Sequence, residues 1–114
     1  MKAKRWQIRG GFGIENLDWG PCDTPSAGPG QVLLRVRAVS LNFRDLLMIR
    51  GHYNPRQPLP LVPGSDCVGE VVALGDGVTE WSVGQRVCPA FNPGWLDGPI
   101  PHTALRSTLG GPVE

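Results

Sequence analysis

Asn42, Tyr53, Ser65 and Asp66 are the side chains of this sequence best suited to chemistry. Asn42 lies in Ser40-Leu41-Asn42-Phe43-Arg44-Asp45-Leu46-Leu47, and Ser65 and Asp66 in Val62-Pro63-Gly64-Ser65-Asp66-Cys67-Val68-Gly69-Glu70-Val71-Val72. Tyr53, the only tyrosine, stands between them in Arg50-Gly51-His52-Tyr53. An amide, a phenol, a hydroxyl and a carboxylate suit hydrogen bonding and proton donation. They do not suit metal catalysis. A catalytic zinc takes three protein ligands from thiolate, imidazole and carboxylate, plus an open position. Asn42 and Ser65 are poor ligands, Asp66 alone cannot hold the ion, and neither His52 nor His102 has a second His or Cys at ligand spacing. No metal is expected. Cys22, Cys67 and Cys88 are odd in number and widely separated, with no CxxC pair, which predicts reduced and mostly buried thiols rather than a disulfide framework.

The elements that must position these residues are short. Lys2 to Ile8 reads as a strand, and Gly10-Gly11 breaks the chain before a second around Ile14 to Trp19. Pro21 to Gly30 reads as a loop, because its prolines and glycines interrupt both helix and ladder. Val32 to Val39 is the clearest strand, with Val32, Leu34, Val36 and Ala38 alternating onto one face and Arg35 and Arg37 onto the other. Asn42 opens a short helix as its N-cap, with Asp45 three residues on and Gly51 as the left-handed stop. Phe43, Leu46, Leu47 and Arg50 repeat at helical spacing, and Arg44 and Asp45 read as an exposed ion pair. Four prolines keep 55–63 irregular. Cys67 to Leu74 is apolar on both faces, which predicts a central strand, and Gln85 to Ala90 another strand after it. From Asn92 onward, prolines and glycines predict a loop. The four tryptophans and three phenylalanines read mostly as core anchors, although Phe91 and Trp95 sit in a loop that could border a cleft. Many short strands and one short helix make an all-β class, a distorted small barrel.

Bulk properties exclude more than they select. The 114 residues suffice for one compact domain. A formal charge of +1 gives no electrostatic reason to expect nucleic acid or an anionic membrane. Lys2, Lys4 and Arg5 alternate along the first strand as a solvated face. No apolar run approaches the ~20 residues of a membrane span and no secretory leader opens the chain, so a cytoplasmic setting is expected. No Gly-x-Gly-x-x-Gly follows a strand, and the turns Gly11-Phe12-Gly13 and Gly75-Asp76-Gly77 lack the helix that a dinucleotide site needs.

The two polar segments, with Gly28-Pro29-Gly30-Gln31-Val32, Gly75-Asp76-Gly77-Val78-Thr79 and Val83-Gly84-Gln85-Arg86-Val87 in this order, resemble the GroES-like catalytic domain of the medium-chain dehydrogenase/reductases. The likeness runs from Met1 to about Gly111. Where zinc alcohol dehydrogenases carry a cysteine ligand and Gly-His-Glu, this sequence has Asn42 and Gly64-Ser65-Asp66, so it is similar to the zinc-free branch of quinone, enone and enoyl reductases. The resemblance implies an NADPH-dependent oxidoreductase acting on a quinone or conjugated carbonyl compound, with most of the cofactor held by a separate Rossmann domain that these 114 residues do not contain. It also implies that Tyr53 borders the nicotinamide and donates a proton, and that Asn42 reaches the nicotinamide ribose.

Each site residue keeps a second reading. Tyr53 also serves as an aromatic anchor, Asn42 as a helix cap alone, and Ser65-Asp66 either as pocket lining or as a turn. The chain is expected to be the catalytic-type portion of such a reductase, inactive alone and with little hold on NADPH. The alternative is a free-standing GroES-like binding module. An incomplete barrel would leave strand edges unpaired and promote self-association.

Overall fold

A computed structural model of the chain describes residues 2–112; the end at Val113-Glu114, where an incomplete barrel is expected to stop, lies outside the described residues. The first strand, β1 (Lys2–Ile8), has the expected bounds. Its antiparallel partner β2 spans Leu17–Asp23. That strand begins later than the sequence predicts, because Ile14–Asn16 forms a 3-10 turn. It also runs through Pro21 into the expected loop. Proline is tolerated there because a two-stranded sheet consists only of edge strands. Trp6 faces Trp19 across the pair, ring centres 5.3 Å apart.

The second sheet has the antiparallel order β3-β4-β5, with β3 Val32–Ser40, β4 Asp66–Leu74 and β5 Arg86–Val87. β4 is central, as its two apolar faces require. Along β3 the alternation is broken by register shifts between Leu33 and Leu34 and between Val36 and Ala38, so the expected single apolar face does not persist and Val36 is exposed. β5 stops well short of Ala90, since Pro89 has no N–H to continue the ladder.

Helix α1 spans Phe43–Arg50 between β3 and a proline-rich loop. Asn42 is its N-cap residue; its backbone N–H donates to the Asp45 carboxylate at 2.8 Å. Gly51 closes the helix in the left-handed region, at φ 75. There the ring of Phe12 packs so closely that a Cβ on Gly51 would lie 2.6 Å from it. The inward face of α1 is Asp45 and Met48, not the Phe43-centred stripe; Phe43 is 73% exposed. Met48 joins Ile8 and Leu61 in the main core cluster, flanked by Leu17, Ile49 and Leu59. A single bridge, Ile8 to Leu61, ties β1 to the loop after α1.

The stretch after Asn92 is more ordered than its prolines suggest: His102–Ser107 is a 3-10 helix entered from Pro101. Ser107 Oγ donates to the Ala104 carbonyl at 2.6 Å and Thr108 Oγ1 to that of Leu105 at 3.0 Å. Among the described residues the two sheets and one α-helix do not close into a barrel, as expected for an incomplete one. The molecule is a slab of 41 × 39 × 22 Å with a radius of gyration of 14.8 Å, against about 13 Å for a compact domain of this length. A thin slab cannot bury large aromatics, and Trp6, Trp19, Trp81, Trp95, Phe43 and Phe91 all remain exposed instead of anchoring a core.

Candidate active site

Ser40 ends β3 opposite Asp66, the first residue of β4. The sheet therefore delivers the chain to the N-terminus of α1 just where the 64–66 turn enters the neighbouring strand. Ser40, Asn42, Arg44, Ser65, Asp66 and Phe91 line the resulting open cleft of about 540 Å³. Three of the four residues singled out in the sequence thus share one site. Asn42 Nδ2 donates to Asp66 Oδ2 at 2.8 Å, and Ser65 Oγ donates to the same oxygen at 2.6 Å. Ser65 is buried while Asn42 and Asp66 are exposed. One carboxylate oxygen therefore orients an amide and a hydroxyl toward each other, and the hydroxyl proton of Ser65 is held by Asp66.

Tyr53 does not line this cleft directly. It is 52% exposed, and its backbone N–H donates to the Leu47 carbonyl at 3.3 Å. Its link to the site is Arg44. The guanidinium carbon lies 4.7 Å from the centre of the Tyr53 ring and 5.0 Å from that of Phe91. Nη1 donates to the Leu109 carbonyl at 3.2 Å and Nη2 to that of Gly111 at 2.8 Å. Arg44 is therefore no partner of Asp45, which is buried and faces the Asn42 amide. A cation in the first turn of a helix opposes the helix dipole, and that was the available signal that Arg44 serves something other than the helix. Phe91 is a cleft residue, whereas the Trp95 indole is held by the Gly98 carbonyl at 2.9 Å.

A second, more apolar groove of about 380 Å³ adjoins the cleft, sharing Ser40 and Asp66 and lined also by Cys67 and Cys88. All three cysteines are free, as expected, but none is buried: Cys22 and Cys67 are half-buried and Cys88 is exposed. Burial pushes the Cys67 thiol above its ordinary pKa, and nearby Cys88 and Asp66 add to the effect. No group of three or more His, Cys, Asp or Glu side chains capable of holding a metal occurs among the described residues. The donor set in the cleft, an amide, a hydroxyl and one carboxylate, does not fit a catalytic zinc. His52 is an exposed loop residue and His102 opens the 3-10 helix.

Residues 28–105 match the alcohol dehydrogenase GroES-like domain family. The chain belongs to that family. It is 47% identical over 78 residues to the rat synaptic vesicle membrane protein VAT-1 homolog, covering 68% of this chain and 19% of that protein. It is 41% identical over 91 residues to a Pseudomonas aeruginosa quinone oxidoreductase, covering 80% and 28%. A mycobacterial protein solved in complex with NADPH superposes with a TM-score of 0.67 at 31% identity, covering 78% of this chain and 27% of its own. A cobalt- and zinc-bound alcohol dehydrogenase from Pyrobaculum aerophilum superposes with a TM-score of 0.72 at 34% identity, covering 81% and 27%. GroES-like domain and medium-chain oxidoreductase ancestry are thereby settled. The GroES-like chain spans 19–28% of these relatives' lengths. Among the described residues, no helix is long and apolar enough to cross a membrane.

Proposed function

We propose that this GroES-like chain is the catalytic-domain portion of a zinc-independent, NADPH-dependent reductase of quinones or conjugated carbonyl compounds. The observation that carries the reading is the self-contained Asn42–Asp66–Ser65 hydrogen-bond set in the cleft. In the resembling zinc enzymes, metal ligands occupy these places. A metal stabilises a developing alkoxide as a Lewis acid. With an amide and a hydroxyl there instead, simple ketone reduction loses that support. A quinone or enone spreads the incoming charge by delocalisation and needs only a hydrogen-bond or proton donor.

A nicotinamide bound there would supply the hydride. The chain's own residues orient and protonate: Asn42, its amide fixed by Asp66, is the residue that would meet the cofactor ribose. Tyr53, beside Arg44 at the edge of the cleft, is the proton donor. Ser65 and Asp66 line the substrate pocket. Most of the cofactor surface belongs to a Rossmann domain outside these 114 residues, so the chain alone should bind NADPH weakly. Free, unpaired thiols agree with a cytoplasmic setting.

The test joins residues 1–114 to a Rossmann domain and measures quinone reduction. Tyr53→Phe should lower turnover by about 10²–10⁴-fold, the span of a lost general acid, and NADPH affinity much less. Unchanged turnover would remove Tyr53 from the chemistry.

A further inference from the structure

Arg44 occupies a position that helix energetics disfavour twice. As the second residue of α1 it places a cation at the positive end of the helix dipole. Its Nε is buried without a hydrogen-bond partner, a loss folded proteins rarely accept. Set against these costs, four contacts converge on its guanidinium from three distant segments: the rings of Tyr53 and Phe91, and the carbonyls of Leu109 and Gly111. Gly111 is itself packed against Met48, so the far end of this clamp is anchored in the core. Tyr53 needs such a support. Its loop has no regular structure, and Arg44 is the one cationic or aromatic partner of its ring among the described residues.

The geometry points to Arg44 as the positioning residue of the cleft. It fixes the Tyr53 ring and the Phe91 wall relative to each other and to the 109–111 segment, so that a planar conjugated ligand meets a preset surface. This deepens the quinone reading above and rests on it for the ligand's class. Lysine cannot take the role. It keeps the charge, but it has no plane to lie against a ring and no rigid fork to reach two carbonyls at once.

Tyr53 is the only tyrosine, so selective labelling gives one set of ring resonances in the 114-residue chain. In the wild-type protein the Tyr53 ring should show cross-relaxation with the Arg44 side chain, whose δ protons move upfield through the ring currents of Tyr53 and Phe91. Arg44→Lys should abolish that contact and shift the ring signals toward those of free tyrosine, with the amides of Ile8, Met48 and Leu61 unmoved. Duroquinone, whose fully substituted ring resists thiol addition, is then titrated while the Ser65 and Asp66 amides are followed. The variant should bind it about threefold more weakly, the scale of a cation–π contact at exposed rings. Tyr53 signals unchanged in Arg44→Lys, or changed signals with unchanged duroquinone affinity, would overturn the positioning role. If Arg44→Lys disturbs the core, Phe91→Leu decides: it removes one face of the stack and should loosen the Tyr53–Arg44 contact, and persistence of that contact overturns the role. Absence of any duroquinone effect on the wild-type cleft contradicts the quinone reading, while the Tyr53 ring comparison still judges Arg44.

Discussion

Gly110 packs against the main chain of Gly64, and replacing it should cost more than backbone conformation alone explains. It sits at φ +72, and a Cβ there would lie 2.5 Å from the Gly64 carbonyl oxygen, 2.8 Å from its carbon and 3.0 Å from its nitrogen. Gly64 leads directly into Ser65 and Asp66, so the approach bears on the turn that carries both cleft residues. In Gly110→Ala the left-handed backbone costs about 1–2 kcal/mol. Overlap with main-chain atoms cannot be relieved by rotating a side chain and adds about 1–3 kcal/mol more. Gly77 provides the control: its φ is +78, yet nothing lies within 4 Å of the corresponding Cβ. Gly77→Ala should carry only the first cost. Each kcal/mol lowers Tm by about 4–8 °C in a domain of this size, so thermal melts followed by circular dichroism should place Gly110→Ala at least about 4 °C below Gly77→Ala. Equal melting temperatures would refute the close approach of the 109–111 segment to the 64–66 turn.

Two further outcomes follow from the groove and the sheet edge. The Cys67 thiol, raised above its ordinary pKa by burial and then by Cys88 and Asp66, should be alkylated by iodoacetamide more slowly than exposed Cys88 near neutral pH, and should catch up only as the pH rises past the ordinary thiol range. Because the folded state holds this proton more tightly than the unfolded chain, the group lowers stability as the pH climbs through that range; peptide mapping that shows Cys67 labelling first would contradict the assignment. Among the described residues β3 leaves one edge of its sheet unpaired, and sedimentation velocity should show concentration-dependent association through it. A monomer at every concentration would instead favour a self-sufficient module.

What the sequence made legible was local. The bounds of β1, the capping of α1 by Asn42 and Gly51, and the central place of β4 each follow from residues within one element. Asn42, Ser65 and Asp66 also come together in one cleft, because β3 and β4 pair with Ser40 opposite Asp66. The failures are long-range. Pro21 was compatible with a strand only because β2 lies in a two-stranded sheet, and the exposed tryptophans reflect a slab with little interior. A cation in the first turn marked Arg44 as out of place, but its partners at Phe91, Leu109 and Gly111 could not be read, since they are brought near only by the tertiary fold.

If hydrogen-bonded Asn42, Ser65 and Asp66 stand in this cleft in place of a catalytic metal site, the chain holds no stoichiometric zinc. Zinc content is measured by elemental analysis and native mass spectrometry after the chain is equilibrated with zinc and exchanged through a mild chelator. No stoichiometric zinc is expected. One tightly held ion per chain, lost on Asp66→Asn, would contradict it.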